Sequence, residues 1–328
     1  MGISRGKIFR YLLSILFVLS LNFLIIQFLP GDPLVHLVGE EAYIHLQARN
    51  PSSLAELRAK YGLDRPIHEQ YLTAMADILR FRLGWSYQYG RPVSHILFYR
   101  LKWTLLLLGP ALFLSAVFGL FLGCLCGRPG KNLPDRFMTP LFLTIYATPA
   151  YCLAFLLLLV FAFSCDFLPL GGMTGSAQTG HVSAGDVLRH LALPLCVLAL
   201  HTTAYLTIIM RSTVRQAFTE DYVITAVSKG LKPRVVMLRH VLLNALSPFV
   251  TAMAINFGFI AGGALLVEVV FSWQGMGSLM YEAVLARDYP ILSGCFLILA
   301  LSVIGANVMA DIFSTFIDPR VRDDAVAP

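Results

Sequence analysis

The sequence predicts an all-α protein that crosses a membrane several times. Of its 328 residues, 57% are hydrophobic and only 13% are charged, and that charged fraction is about half of the usual value in soluble domains. A water-soluble particle of this size needs a larger polar surface. Long apolar runs also recur along the chain, each long enough to cross about 30 Å of hydrocarbon as a helix. These observations argue against a soluble enzyme, a nucleic-acid binder and a disordered chain.

Six apolar runs predict six transmembrane helices. They lie at 8–29, 103–126, 138–165, 190–210, 248–271 and 290–317. The first run follows Arg5, Lys7 and Arg10 in the manner of a secretory signal. It is longer than a signal core, however, and no small-residue cleavage site follows it, so we expect an uncleaved anchor.

The basic residues predict that both termini lie in the cytoplasm. The net charge is +6, and cytoplasmic loops carry the excess of Lys and Arg in membrane proteins. With the N-terminus inside, the two short outer loops hold only Arg189 and Arg287. The outer segment 30–98 is too long for its charges to orient the chain. The basic excess therefore indicates topology and not nucleic-acid binding.

The outer segment 30–98 is predicted to be helical. A capping-box pattern predicts a short helix from Ser53 to Gly62. Pro66 opens a second helix, with one apolar face, that ends at Gly84. The pair is too polar to enter the bilayer and too short to fold alone, so we expect it over the outer mouth of the helix bundle. An interfacial helix that only anchors the protein is the alternative.

Glycines at four-residue spacing predict close helix packing. Gly119, Gly123 and Gly127 lie on one face of the second span, and Gly258 and Gly262 lie on one face of the fifth. Small residues at this spacing let helix backbones approach closely. The pattern concerns packing and carries no information on the cargo.

Ionisable side chains within the spans are functional candidates, because each is costly unless it faces protein or water. His201 is either a contact for the cargo or a packing histidine. A metal site there is weakened because no His or Cys lies three or four residues away. Glu268 either faces a water-filled path or is structural, and Asp311 is expected to pair with a loop cation.

The motifs of ATP-binding and hydrolytic enzymes are missing from the sequence. Gly130-Lys131 is followed by Asn132, and Leu125 stands where a phosphate loop has its first glycine. No histidine pair brackets a glutamate, and no Gly-x-Ser-x-Gly elbow occurs. We therefore predict no catalytic residue and no enzyme activity, and any ATP must be hydrolysed by another subunit.

The loop 212–247 is long, basic and helical in pattern. Asp221 suits the positive start of a short helix at 219–229, Gly230 supplies the break after it, and Pro233 opens the next helix. A simple connection needs only a few residues. The loop is therefore expected to be contacted by a partner.

A set of short motifs runs through the chain and is densest from residue 221 onward. It comprises Asp221-Tyr222-Val223, Ala226, Lys229-Gly230, Arg239-His240, Phe28 to Pro33, Tyr61 to Pro66, Phe271-Ser272-Trp273, Gly275-Met276-Gly277, Ala286 to Pro290 and Asp318-Pro319-Arg320. In these motifs the chain resembles the permeases of binding-protein-dependent ABC transporters. More narrowly, it is similar to the first permease subunit of the oligopeptide, dipeptide and nickel group over nearly all of residues 8–322.

Four positions depart from the family pattern. Val227 and Ser228 replace an Arg and an Ala that are frequent in the coupling loop, Gln274 replaces a usual Pro, and Arg82 replaces a usual Asp. The loss of the arginine puts a specific salt bridge to an ATPase at position 227 in doubt. The helix, break and second helix around Gly230 are retained, so docking itself is still expected.

The resemblance implies a type I ABC importer permease fold with four parts. These are a transmembrane helix at 1–29, an extracytoplasmic amphipathic helical segment at 30–98, a five-helix core at 99–318 that contains the coupling loop 212–247, and a cytoplasmic tail at 319–328. The protein would lie in the inner membrane and form half of the pore of an ATP-driven importer for dipeptides or oligopeptides.

The implied partners are a homologous second permease, two ABC ATPases, an extracytoplasmic solute-binding protein and the lipid bilayer. ATP and Mg would be bound by the ATPases, and this chain would bind no cofactor, metal or nucleic acid. One alternative is a permease for nickel or a metal chelate. Another is a stand-alone secondary transporter or a membrane enzyme, which would need an inverted repeat or a catalytic cluster.

Three groups of site residues are expected. Coupling to the ATPases is expected at Asp221, Tyr222, Thr225, Ala226, Lys229, Gly230 and His240. The translocation path is expected at Glu268 and His201. Docking of the binding protein is expected at Asp32, Asp64, Tyr71, Trp273 and Asp288.

Overall fold

The computed structural model describes residues 5–28, 34–35, 39–49, 51–60, 63–86, 88–130, 133–173, 183–258 and 264–317. Its helices are α1 (Arg5–Phe28), α2 (Glu40–Arg49), α3 (Pro51–Lys60), α4 (Ile67–Leu79), α5 (Val93–Cys126), α6 (Leu133–Ala147), α7 (Ala150–Ser164), α8 (Ala184–Phe218), α9 (Asp221–Ser228), α10 (Pro233–Gly258), α11 (Leu265–Val270), α12 (Met276–Leu285) and α13 (Tyr289–Ile317). One antiparallel hairpin joins β1 (Trp85–Ser86) to β2 (Arg91–Pro92).

The prediction of an all-α polytopic fold is confirmed. Helices α5, α8 and α10 and the Tyr289–Ile312 part of α13 are long and apolar enough to cross a membrane, and the bent pair α6–α7 can supply one more span. In α1 the apolar stretch is shorter and covers Phe9–Leu24. The described residues therefore hold four or five candidate spans where the sequence predicted six.

The third predicted span, 138–165, is not one continuous helix. Helices α6 and α7 are bent by 102° relative to each other, and Pro149 is the N-cap of α7. Proline has no N–H for the helix ladder and disfavours the helical conformation of the residue before it, so α6 ends at Ala147. The predicted span is therefore bent, and the pair α6–α7 can still form it as one broken span.

Helices α5 and α8 pack side by side and run parallel. The three glycines of α5 face successive turns of α8: Gly119 against Leu206, Gly123 against Met210 and Gly127 against Val214. A Cβ atom at Gly119 would lie 2.6 Å from the Leu206 Cβ, so only glycine permits this approach. The predicted packing role of the triplet is confirmed. Gly258 packs on α13 in the same way, and Gly262 lies outside the described residues.

Three clusters of buried side chains hold the bundle together. The first joins α5 to α7, α8 and α11, and the second joins the end of α8 to α9 and α10. The third joins the start of α5 to α12 and α13. Because α9 contributes to the second cluster, it is packed against the bundle and is not a free loop.

The helices predicted within 30–98 are present with shifted bounds. Helix α3 covers Pro51–Lys60, and Pro66 is the N-cap of α4 instead of its first residue. Helix α4 ends at Leu79, five residues before the predicted end, because Phe81 has a left-handed φ of 55°. Helix α2 and the β-hairpin were not predicted.

Polar contacts attach α1 to its neighbours. The Tyr11 hydroxyl donates to Asp311 Oδ2 at 2.6 Å, and Asn22 Nδ2 donates to the Ser293 carbonyl at 3.0 Å. Asp311 was expected to pair with a loop cation. Its carboxylate joins α13 to α1 through Tyr11, and the pairing with a loop cation stays a prediction.

Candidate functional site

The expected coupling residues and the β-hairpin lie at opposite ends of the α5–α8 pair. Helix α5 begins directly after β2, and α8, which runs parallel to it, ends directly before α9. We call these two ends the hairpin end and the α9 end.

Helix α9 buries one face and exposes the other. Val223 and Ala226 are buried in the cluster shared with α8 and α10. Asp221, Thr225 and Lys229 are exposed. Ile224 and Val227 are exposed as well, so the surface that α9 offers to a partner is both polar and apolar. The predicted coupling residue Ala226 contributes to packing beneath it.

Tyr222 of α9 contacts α10 through Asn244, which lies one turn after His240 on α10. The Asn244 side-chain amide donates to the Tyr222 hydroxyl at 2.8 Å and to the His240 carbonyl at 2.9 Å. Tyr222 is half-exposed and His240 is half-buried. Both predicted residues thus lie at the junction of the two helices.

Gly230 forms the break between these helices. Its φ is +75°, a left-handed conformation that glycine adopts without a steric penalty. Lys229 is the C-cap of α9, Lys232 is the N-cap of α10, and Pro233 is the first residue of α10. The predicted helix, break and second helix are confirmed, and the coupling role of these residues stays a prediction.

A charge cluster ties α6 to the last turns of α8. The Asp135 carboxylate accepts hydrogen bonds from Arg211 and Arg215, with Arg215 Nη2 at 2.8 Å from Asp135 Oδ2. Asp135 lies in the first turn of α6, and both arginines precede α9 on α8. Sequence reasoning missed this cluster, although an isolated acid at the start of an apolar helix was a visible signal.

His201 lies at the midpoint of α8, 17 residues from Ala184 and 17 from Phe218. Its ring centroid is 5.8 Å from that of Tyr146, and the Tyr146 ring stacks on Tyr205 at 5.5 Å. Tyr146 is the second-last residue of α6, directly before the bend. Tyr146 and Tyr205, which the sequence did not indicate, therefore lie near the predicted path residue His201.

Glu268, the other predicted path residue, lies at a different level of the bundle. It accepts a hydrogen bond from Thr104 Oγ1 at 3.0 Å, whereas α8 near His201 contacts α5 at Ser115, through a 2.9 Å bond to the Ala199 carbonyl. Thr104 and Ser115 are separated along α5 by about 16 Å. Glu268 and His201 therefore do not form one site.

The Glu268 carboxylate caps the start of α12. It is fully buried and accepts the Ser278 N–H at 3.0 Å, while the Met276 N–H donates to Thr104 Oγ1 at 2.7 Å. A Cβ at Gly275 would overlap the carboxylate. An acid at a helix N-terminus satisfies free N–H groups and the helix dipole. In this conformation the group faces protein, and its part in a translocation path stays a prediction.

Two of the five predicted docking residues are buried. The Trp273 indole donates to the Trp103 carbonyl at 3.1 Å, and Trp273 is fully buried. Asp288 is also fully buried and accepts the Ser86 hydroxyl at 2.5 Å. Neither side chain can touch a docked protein in this conformation. Both were expected to dock the binding protein, but long-range contacts cover them here.

The remaining docking candidates differ in exposure. Asp64 is exposed. Tyr71 is half-buried, with its hydroxyl 2.7 Å from Ser20 Oγ and its ring edge-on to Phe23. Tyr71 therefore attaches α4 to α1, while Asp64 is available to a partner. Asp32 lies outside the described residues.

A second polar network holds the hairpin to α5 and α12. Arg100 Nη2 lies 2.9 Å from Glu282 Oε2, and the Tyr89 hydroxyl donates to the same carboxylate at 2.5 Å. Burial and this carboxylate acceptor raise the pKa of Tyr89 above its ordinary value. The hairpin end is thus a polar, tightly connected surface that sequence reasoning did not foresee.

Within the described residues, no group of three or more His, Cys, Asp or Glu side chains is arranged to hold a metal ion.

Residues 119–323 match the family described as binding-protein-dependent transport system inner membrane component. The chain belongs to this family. A putative peptide permease of Brucella ovis is 36% identical and is matched over 97% of this chain and 99% of its own length. The glutathione transport system permease GsiC of Salmonella paratyphi A is 32% identical, over 94% and 95% of the two chains. A probable peptide ABC transporter permease of Sinorhizobium fredii is 30% identical, over 96% and 98%.

Proposed function

We propose that this protein is the permease subunit of an ATP-driven importer for peptides and forms half of its translocation pore. The observation that carries the proposal is the near full-length similarity to relatives named for peptide and glutathione transport. Glutathione is itself a tripeptide, so these names share one chemical class of cargo. The nickel alternative has no comparable observation in its favour.

The packing of α9 supports a coupling role. We infer that its exposed face seats on an ATPase and that its buried face transmits the movement. Val223 and Ala226 pack into the cluster that contains the end of α8, and Asp135 ties that end to α6. A push on α9 would therefore move α8 and α6 together as a rigid body.

We also propose which side of the membrane each end of the α5–α8 pair faces and which partners bind there. The α9 end and both termini would lie in the cytoplasm, where two ATPases bind ATP and Mg. The hairpin end would face outward and receive the solute-binding protein, with Asp64 as the exposed candidate contact. A homologous second permease would complete the pore in the inner membrane.

Import by the reconstituted complex tests the function. The complete complex in liposomes, supplied with ATP and the binding protein, is expected to accumulate a labelled dipeptide. The ATPases are expected to co-purify with this chain. Uptake by this chain without any ATPase would contradict the proposal, and so would uptake of nickel but not of peptides.

Gly230→Val tests the coupling role. Valine is strained at a φ of +75°, so α9 should be displaced and import should fall several-fold while the chain stays in the membrane. Gly230→Asn is the matched control, because asparagine tolerates the left-handed region. Equal import by both variants and the wild type would count against this role.

A further inference from the structure

The three rings of Tyr146, His201 and Tyr205 lie beside the middle of α8, a candidate membrane span. His201 is at the midpoint of α8, and Tyr205 follows it by one turn. Tyr146 is 46% exposed, and the other two residues are half-buried. Polar side chains at mid-depth normally face a bundle interior or water.

The two tyrosine hydroxyls have unused hydrogen-bonding capacity. The imidazole of His201 interacts with the backbone of Tyr146, but among the described residues the structure gives neither the Tyr146 nor the Tyr205 hydroxyl a hydrogen bond. A hydroxyl left unpaired in hydrocarbon is unfavourable. This face must therefore meet water, a polar ligand or another protein.

The break between α6 and α7, beside the rings, also indicates that this face does not meet lipid. Helix α6 ends one residue after Tyr146, and α7 leaves at 102° after Pro149. Non-helical backbone at membrane depth is tolerated only where protein buries it or where it lines a water-filled cavity. The break is independent of the ring chemistry, so two observations indicate that this face does not meet lipid.

We propose that Tyr146, His201 and Tyr205 form a contact surface for the cargo half-way along the translocation path. The inference rests on the proposed peptide import and adds the residues that meet the peptide inside the membrane. Phenol and imidazole groups exchange hydrogen bonds with peptide amides, and the ring faces attract an α-ammonium group. The two tyrosines carry no charge, which suits a site that must release its cargo.

The double variant Tyr146→Phe/Tyr205→Phe tests this surface in the complete complex. Import is measured in liposomes with saturating binding protein that is already loaded with peptide, so capture of the free peptide is not limiting. Loss of two hydroxyl contacts should lower the peptide imported per ATP hydrolysed about tenfold. The melting temperature of the complex should stay that of the wild type, because the hydroxyls make no hydrogen bond within the described chain.

Tyr99→Phe is the matched control. Tyr99 is an exposed tyrosine near the start of α5, where its ring packs edge-on against Trp103. Loss of the Tyr99 hydroxyl should leave import unchanged. Wild-type import by the double variant would overturn the inference. Loss of the second permease from the purified double variant would also overturn it, because the rings would then join the two permeases.

Thiol labelling supplies a second readout. Tyr205→Cys is made in a background in which the exposed Cys152, Cys165 and Cys196 are replaced. A water-soluble thiol reagent should react at 205 in at least one nucleotide state, and peptide-loaded binding protein should slow that reaction. Absence of any reaction at 205 in every nucleotide state would refute this inference and leave the proposed function standing. Absence of peptide import by the wild type would refute the proposed function and this inference with it.

Discussion

Replacement of Gly119 by alanine should separate α5 from α8 and destabilise the protein. The added Cβ would lie 2.6 Å from the Leu206 Cβ and 3.4 Å from its carbonyl carbon. Carbon atoms prefer a separation of about 3.5–4.0 Å, so α5 and α8 would have to part by about 1 Å. The Leu206 Cβ is fixed to its backbone and cannot rotate away. Overpacking of this kind costs about 1–3 kcal/mol.

Gly109→Ala is the matched control for this prediction. Gly109 lies on the same helix, and within the described chain no atom lies within 4 Å of the place that its Cβ would take. Alanine favours a helix over glycine by about 1 kcal/mol at either site. At position 119 this gain in helix propensity partly offsets the clash. At position 109 there is no clash, so only the gain remains. The two variants should therefore differ in the free energy of unfolding by about 1–3 kcal/mol.

Thermal unfolding of the purified complex in detergent measures the difference. We expect Gly119→Ala to lower the melting temperature and Gly109→Ala to leave it equal or higher. Equal melting temperatures for the two variants would refute the reasoning, because they would show that α5 and α8 do not rely on contact at this glycine.

Three further predictions concern polar contacts. Asp135→Asn weakens the link between α6 and α8, so import per ATP hydrolysed should fall while the ATPases still co-purify; unchanged import would contradict this link. Glu268→Leu leaves a buried N–H of α12 unpaired, which should cost about 1–3 kcal/mol and lower the melting temperature more than Glu268→Gln does. Tyr11→Phe removes the hydrogen bond to Asp311, so α1 should be cleaved faster by an added protease, and an unchanged cleavage rate would argue against that attachment.

Local sequence signals predicted the parts of the fold that depend on nearby residues. Apolar runs predicted the long helices, and the glycine spacing predicted the close approach of α5 to a neighbour. Gly230 and Pro233 predicted the break and restart around α9. In each case one residue type at one spacing has a direct conformational consequence, so residues close in the sequence were sufficient to predict the feature.

The bend at Pro149 shows why other features could not be predicted. Pro110, Pro194 and Pro248 lie inside α5, α8 and α10 without ending them. Proline alone therefore does not decide whether a membrane helix continues. Packing with other helices, which re-satisfies freed carbonyl groups, decides the outcome, and it cannot be derived from the residues around one proline.

The burial of two docking candidates could not be predicted for a related reason. Trp273 is covered through a contact with Trp103, which is 170 residues away in the sequence, and Asp288 through Ser86, which is 202 residues away. Only the fold brings these partners together, so their burial had no local sequence signal.

Helix α8 connects the candidate coupling surface to the rings at mid-depth. His201 lies 17 residues from the last residue of α8, a distance of about 25 Å along the helix. Rocking of α8 by roughly 10° about its α9 end would move His201 by about 4 Å, and rigid-body rotations of this order occur in allosteric proteins. Since the glycine contacts hold α5 to α8 and Asp135 holds α6, the rings would move with both neighbours. If α9 is the coupling surface that we propose, a small displacement of α9 would change the access of the rings without any local rearrangement of α8.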